Sequence, residues 1–210
     1  MTMDKNEDLR VIRSRRLIED AFFTLVEEEG IEAVTVRKLT AQAGINRGTF
    51  YLHYQDIYDL MEKMEDRIME QMKQLPVKSG PQEMLSAEMK GEPFPSIAQF
   101  IDFMNEEHRF FQVFFAQEGA LFGKRLRVLI QDSIVDKIPK PLLTSEPLPV
   151  PADYIVAYFS SAHFGVIKHW FNTGRALPPY DLAVTLTRLI KDGPLLTALN
   201  QQPANRLSES

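Results

Sequence analysis

Arg37, Lys38, Arg47 and His53, with the hydroxyls of Thr35, Thr49 and Tyr51 between them, stand in one stretch, TVRKLTAQAGINRGTFYLHY (35–54), that has no Asp or Glu. These side chains are hydrogen-bond donors, several of them cationic, and donors free of nearby carboxylates suit a polyanion. The chain around them is acidic, with 29 Asp and Glu against 24 Lys and Arg and a formal net charge of −5. That sum disfavours nucleic acid, but the placement of charge decides where a polyanion can bind. A second basic place, LRVIRSRR (9–16), carries Arg10, Arg13, Arg15 and Arg16, and it too lies in the first quarter of the chain.

Other chemistries find no matching residues. The histidines are His53, His108, His163 and His169, and no two have metal-ligand spacing; His163 and His169 fall on different faces of a helix. There is no nucleophile elbow, phosphate-cradling glycine loop or dinucleotide fingerprint, so no enzyme, metal or cofactor is expected. The chain has no cysteine, which excludes disulfides and cysteine metal sites. Charge runs through the first twenty residues without an apolar core, so no secretory signal is expected. YIVAYFSSAHFGVI (154–167) is shorter than the roughly 20 apolar residues that span a bilayer. A cytoplasmic protein with no membrane partner is expected.

The elements that position these residues read as helices, and the fold class is all-α. Ile18, Ala21, Phe22 and Leu25 give one apolar face to a helix over 9–29, closed by Gly30. Thr35 is placed to cap a short helix over 36–43 that buries Val36, Leu39 and Ala43. Gly44 breaks it, Ile45 plugs the turn, and Asn46 caps a third helix over 47–53 that buries Phe50 and Tyr54. Asp56 caps a fourth, striped by Ile57, Leu60, Met61, Met64, Ile68 and Met72 and stopped by Pro76. The stretch 76–96, rich in Pro, Gly and Ser, reads as a loop. Helices follow from Ser96, over 108–119, and over 121–138. Residues 139–151 hold five prolines and read as a loop. The last helices are predicted over 152–173 and 179–191, with a further turn at 194–200. The expected organisation is a three-helix domain over 1–55, a larger helical domain over 56–200 and a disordered tail over 201–210.

Two short helices around a tight glycine turn make a helix-turn-helix, in which the second helix enters the major groove of DNA and the first crosses the backbone. Gly48 and Thr49 are small enough for close approach to the duplex. The stretch resembles the DNA-binding half of the tetracycline-repressor (TetR) family of bacterial transcription regulators. Gly30, Thr35, Val36, Leu39, Ala43-Gly44-Ile45-Asn46, Gly48-Thr49-Phe50-Tyr51, His53-Tyr54 and Asp59-Leu60 carry the resemblance, over about residues 10–60. It implies that Thr35, Tyr51 and His53 contact phosphate or sugar, that Lys38 contacts the backbone, and that Arg37, Arg47 and Thr49 reach base edges, with Asn46 and Gly48 shaping the entry. Two positions depart from the family: Ile57 stands where a phosphate-contacting lysine is usual, and Lys38 where an acid often completes a capping box.

The same resemblance implies a C-terminal domain that binds a small effector and dimerises. Met64, Phe103, Met104, Phe111, Phe115, Tyr158 and His163 are the candidates to line an effector pocket, which would be aromatic and apolar and take a hydrophobic or planar ligand. Tyr154, Ser161, Ala162, Gly165 and His169, with Leu182, Leu186 and Leu189, are the candidates for a two-fold interface. The expected protein is a homodimeric repressor bound to double-stranded DNA at a palindromic operator and released by an effector. The alternative is a co-regulator that keeps the fold, reads no DNA and binds another regulatory protein.

Overall fold

The structure is a computed structural model and describes residues 3–75, 81–116, 121–135 and 150–193. Ten α-helices and one short 3-10 helix, and no strand, account for the regular structure among the described residues. They are α1 (Met3–Glu29), the 3-10 turn Ile31–Ala33, α2 (Val36–Gln42), α3 (Arg47–Tyr51), α4 (Ile57–Gln74), α5 (Pro81–Lys90), α6 (Pro95–Glu106), α7 (His108–Ala116), α8 (Leu121–Val135), α9 (Ala152–Asn172) and α10 (Pro179–Lys191). No described helix is long and apolar enough to cross a membrane. The chain forms two compact units. One is Met1–Gln71 with Arg109–Gln117; the other is Met72–His108 with Glu118–Ser210.

In the first unit the predicted apolar faces are the ones buried: Ile18, Ala21, Phe22 and Leu25 of α1, Leu39 of α2, Phe50 of α3, then Tyr54, and Leu60, Met64 and Ile68 of α4. α7 adds Phe110, Phe111, Phe114 and Phe115. Its rings stack at i, i+4, Phe110 on Phe114 at 4.3 Å and Phe111 on Phe115 at 6.0 Å. What ties α7 to α1 is Arg109. Its Nε donates to Glu27 Oε1 at 2.8 Å and its Nη2 to Glu27 Oε2 at 2.9 Å and Thr24 Oγ1 at 3.1 Å. Asp20 lies 3.8 Å away, and the guanidinium sits over the Phe23 ring. Acids at the C-terminal end of α1 oppose the helix dipole; Glu27 is held there by Arg109 and Glu29 by Lys38.

In the second unit α6 packs on α10, and α8 on α9. Thr187, buried on α10, accepts the Phe94 backbone N–H at 3.0 Å and so satisfies a donor at the start of α6. Gly123 of α8 lies near the Phe164 ring of α9, and Arg127 lies over that ring at 4.7 Å. Trp170 Nε1 donates to Leu177 O at 2.8 Å, closing the turn between α9 and α10.

One expected loop is a helix. Pro81 occupies the first turn of α5, where its missing N–H costs nothing, and Gly91 ends the element at φ +69°. Between them, QEMLSAEMK is built of good helix formers. The Pro and Gly that suggested a loop punctuate its two ends. The expected turn at 194–200, the tail 201–210 and most of the proline-rich stretch 139–151 lie outside the described residues.

Candidate nucleic-acid interface

Each element of the helix-turn-helix is fixed by a side chain at its start. Thr35 Oγ1 accepts the Lys38 N–H at 3.3 Å, and Asn46 Oδ1 accepts the Gly48 N–H at 2.8 Å. Gly44 takes φ +64° between them, a conformation that costs an L-residue about 1–2 kcal/mol. A Cβ there would meet nothing within 4 Å, so the need for glycine is conformational. Asp56 Oδ1 accepts the Asp59 N–H, and Asp59 Oδ2 accepts the Gln55 N–H, each at 2.8 Å. The Gln55 bond, and then Lys63, hold the Asp59 carboxyl below its ordinary pKa. Lys63 Nζ also donates to the His53 carbonyl at 3.0 Å, just past the end of α3. Sequence reading missed Lys63, although its i, i+4 spacing from Asp59 is a visible signal.

Thr35, Arg37, Lys38, Asn46, Arg47, Gly48 and Tyr51 are exposed, and Thr49 is half-buried. Arg37 and Arg47 have no ion pair among the described residues. Lys38 does: its ammonium is paired with Glu29. Tyr51 stands edge-on to Phe50 with its ring more than half exposed.

His53 is turned inward. Its Nε2 lies 2.7 Å from Ser14 Oγ, joining the segment after α3 to α1. Burial, then the charges of Arg15 and Lys63, hold its pKa below the usual value. The unfolded chain therefore binds a proton at His53 more readily than the folded chain does. Stability is fully present above the unfolded pKa of roughly 6.5 and declines as pH falls through it, levelling off below the lowered folded value. Urea melts between pH 7.5 and pH 5 are expected to show this decline, and His53→Gln to flatten part of it. An unchanged pH dependence in that variant would remove His53 from the account. Tyr54 is the reverse case: burial and then Glu19 push its phenol up to about 12, so it stays neutral.

The other candidate residues fall as follows. Met64, Phe111 and Phe115 are buried in the first unit. Met104 is buried and Phe103 half-buried on α6 of the second unit. Tyr158, Phe159 and His163 lie together on α9, with Tyr158 edge-on to Phe159, and His163 Nδ1 bonded to the Phe159 carbonyl. Tyr154, Ser161, Ala162, Gly165 and His169 are all exposed and share one face of α9. Leu182 and Leu186 are not surface residues: at 1% and 2% exposure they belong to the chain's own core, where α10 packs on α6. Leu189 is half-buried.

The sequence profile described as "Bacterial regulatory proteins, tetR family" matches residues 18–64, and that described as "Transcriptional regulator C-terminal region" of the same family matches 91–192. Helix-turn-helix-type transcriptional regulator YxbF of Bacillus subtilis is 34% identical over 65 residues, 30% of this chain and 17% of that protein. Regulator SAB2452 of Staphylococcus aureus is 37% identical over 49 residues, 23% of this chain and 26% of that protein. The chain thus matches about a quarter or less of the length of these two relatives. Among solved structures, a TetR-family regulator from Syntrophomonas wolfei superposes with a TM-score of 0.62 at 14% identity, covering 91% of this chain and 98% of the other. The dihydroxyacetone kinase operon activator DhaS gives 0.59 at 15%, covering 88% and 97%. SmeT in complex with triclosan gives 0.54 at 13%, covering 84% and 90%. At such identities the likeness is one of fold.

Proposed function

The chain belongs to the TetR family of bacterial transcriptional regulators, and from that premise we propose that it is a homodimeric repressor that reads a palindromic operator and is released by a small hydrophobic effector. DNA reading is assigned to residues 1–55, and effector binding and dimerisation to 56–200. The observation that carries this reading is that α2 and α3 present exposed side chains and no carboxylate of their own, and that Arg37 and Arg47 make no ion pair among the described residues. Arg47 and Thr49 read base edges, Arg37 assists them, and Thr35 and Tyr51 hold the backbone.

Two-fold symmetry follows from the target, because two reading helices must reach major grooves about 34–36 Å apart or a multiple of that. The exposed face of α9, with Tyr154, Ser161, Ala162, Gly165 and His169, is the assigned interface; its small residues permit close helix approach. The effector is assigned to the second unit, with Phe103 and Met104 of α6 and Tyr158 and His163 of α9 as its candidate contacts. It acts only in so far as it binds the released conformation better than the DNA-bound one.

Fluorescence anisotropy of the dimer against DNA from upstream of its own gene, at two salt concentrations, tests the reading. Tight binding that weakens steeply with salt is expected, through counterion release. If the dimer selects no sequence even from a random duplex pool, the DNA-reading assignment fails and the co-regulator reading takes its place.

A further inference from the structure

The Ser14 hydroxyl fixes which nitrogen of His53 carries a proton. It lies 2.9 Å from the Arg10 carbonyl and 3.1 Å from that of Val11, one turn back on α1, and 2.7 Å from His53 Nε2. A hydroxyl has one proton to donate, and carbonyls only accept. All three contacts are satisfied together when Ser14 donates back to α1 and His53 donates Nε2–H to Ser14. The neutral ring then keeps its lone pair at Nδ1, and a second proton goes there. The imidazolium retains Nε2–H, so the ring charges without giving up Ser14. A ring that accepted from Ser14 would have to break the bond to charge.

The surroundings of His53 keep it neutral in the free protein. Burial is the first cause, and the charged groups that act on it are cations, Arg15 of α1 and Lys63 of α4. Lys63 Nζ donates to the His53 carbonyl at 3.0 Å and to Asp59 Oδ2 at 2.9 Å. Tyr54, whose ring lies 6.1 Å from the imidazole, is neutral.

A polyanion reverses the sign of this environment. His53 stands two residues past Tyr51, the last residue of α3. That is at most about 7 Å of chain, comparable with the screening length of about 8 Å at physiological salt. Phosphates held at α3 therefore act on the ring, and they favour its charged form.

We propose that binding DNA is coupled to the uptake of one proton at His53 Nδ1 in each protomer, so that operator affinity rises as pH falls. This rests on the DNA-reading assignment above. The proton comes from solvent, and the bond to Ser14 persists. By linkage, affinity rises as pH falls through the pKa of the complex. It levels off below the lower pKa of the free protein, where the ring is charged before DNA arrives. The slope of log K against pH is at most about 1 in magnitude for each protomer.

Calorimetric titration of the full-length dimer with its selected duplex, near pH 6.5 and at one ionic strength, counts the protons. Phosphate and imidazole buffers, which differ widely in ionisation enthalpy, are compared. The binding enthalpy is expected to differ between them in the sense of proton uptake, by up to one proton per protomer. His53→Gln, which offers Ser14 an N–H and cannot charge, is expected to remove the difference. A wild-type enthalpy independent of buffer would overturn the proposal and leave the DNA-reading assignment standing. A difference unchanged in His53→Gln would place the proton on another group and overturn it too. Imidazole NMR shifts of the wild-type dimer, free and operator-bound, decide the case in which the variant no longer binds. They are expected to show a neutral Nε2–H ring in the free dimer and a higher pKa in the complex. A neutral Nδ1–H ring, or one pKa in both states, would overturn the proposal. Failure of the wild type to select any sequence would end the DNA-reading assignment and the proposal with it.

Discussion

Phe50→Ala is expected to destabilise the amino-terminal unit by about 3–5 kcal/mol, the range for emptying a fully buried aromatic site. The ring has no exposed surface and lies 5.5 Å from the Tyr51 ring and 5.6 Å from that of Tyr54. Its effect should exceed that of other truncations of equal size because α3 is only five residues long. A helix so short has no stability of its own and exists through tertiary packing. Phe50 is the one buried side chain of α3. Its carbonyl also accepts the N–H groups of His53 and Tyr54, each at 2.9 Å, which continue the chain toward α4. Urea unfolding followed by circular dichroism measures the loss. Phe50→Leu, which keeps most of the volume, should recover more than half of it. A loss under about 1 kcal/mol for Phe50→Ala would mean that the caps and the Ser14–His53 bond hold α3 unaided.

The local parts of this architecture were legible because their causes are local. Thr35, Asn46 and Asp56 cap within three residues of themselves. Gly44 declares its turn by lacking a Cβ, and the α1 and α4 stripes follow from helical period alone. What escaped depends on partners distant in sequence. Ser14 and His53 are 39 residues apart, and Glu27 and Arg109 are 82 apart. Nothing in either segment announces the other. Lys38 looked available to DNA because the pattern showed its charge and not Glu29 beside it. Leu182 and Leu186 expose a different limit. An apolar helical face says that it will be buried; whether the chain's own α6 or a second copy buries it is not a property of that helix. Tyr154, Gly165 and His169 were separable from them only once the fold had left the first set exposed and the second set covered.

Arg47→Ala is expected to weaken operator binding by about 5- to 150-fold, equivalent to roughly 1–3 kcal/mol for one bidentate guanidinium–guanine contact. The loss should fall on the cognate sequence more than on a scrambled duplex, because non-specific binding is carried by phosphates. Several features make Arg47 the residue to substitute. It opens α3, its side chain is exposed, no carboxylate among the described residues competes for it, and the neighbouring Gly48 leaves room for the duplex. Unfolding is no confounder, since removing an exposed side chain with no intramolecular ion pair should change stability by no more than about 0.5 kcal/mol. Tyr51→Ala serves as the contrast. A phenol on the backbone should weaken cognate and scrambled duplexes alike, whereas a ring against a thymine methyl should weaken the cognate one selectively. Anisotropy titrations of both variants on both duplexes separate these cases. If Arg47→Ala keeps the wild-type preference, base reading passes to Arg37 and Thr49. Thr49 would then be the reader left on the short α3, beside Arg37 on α2.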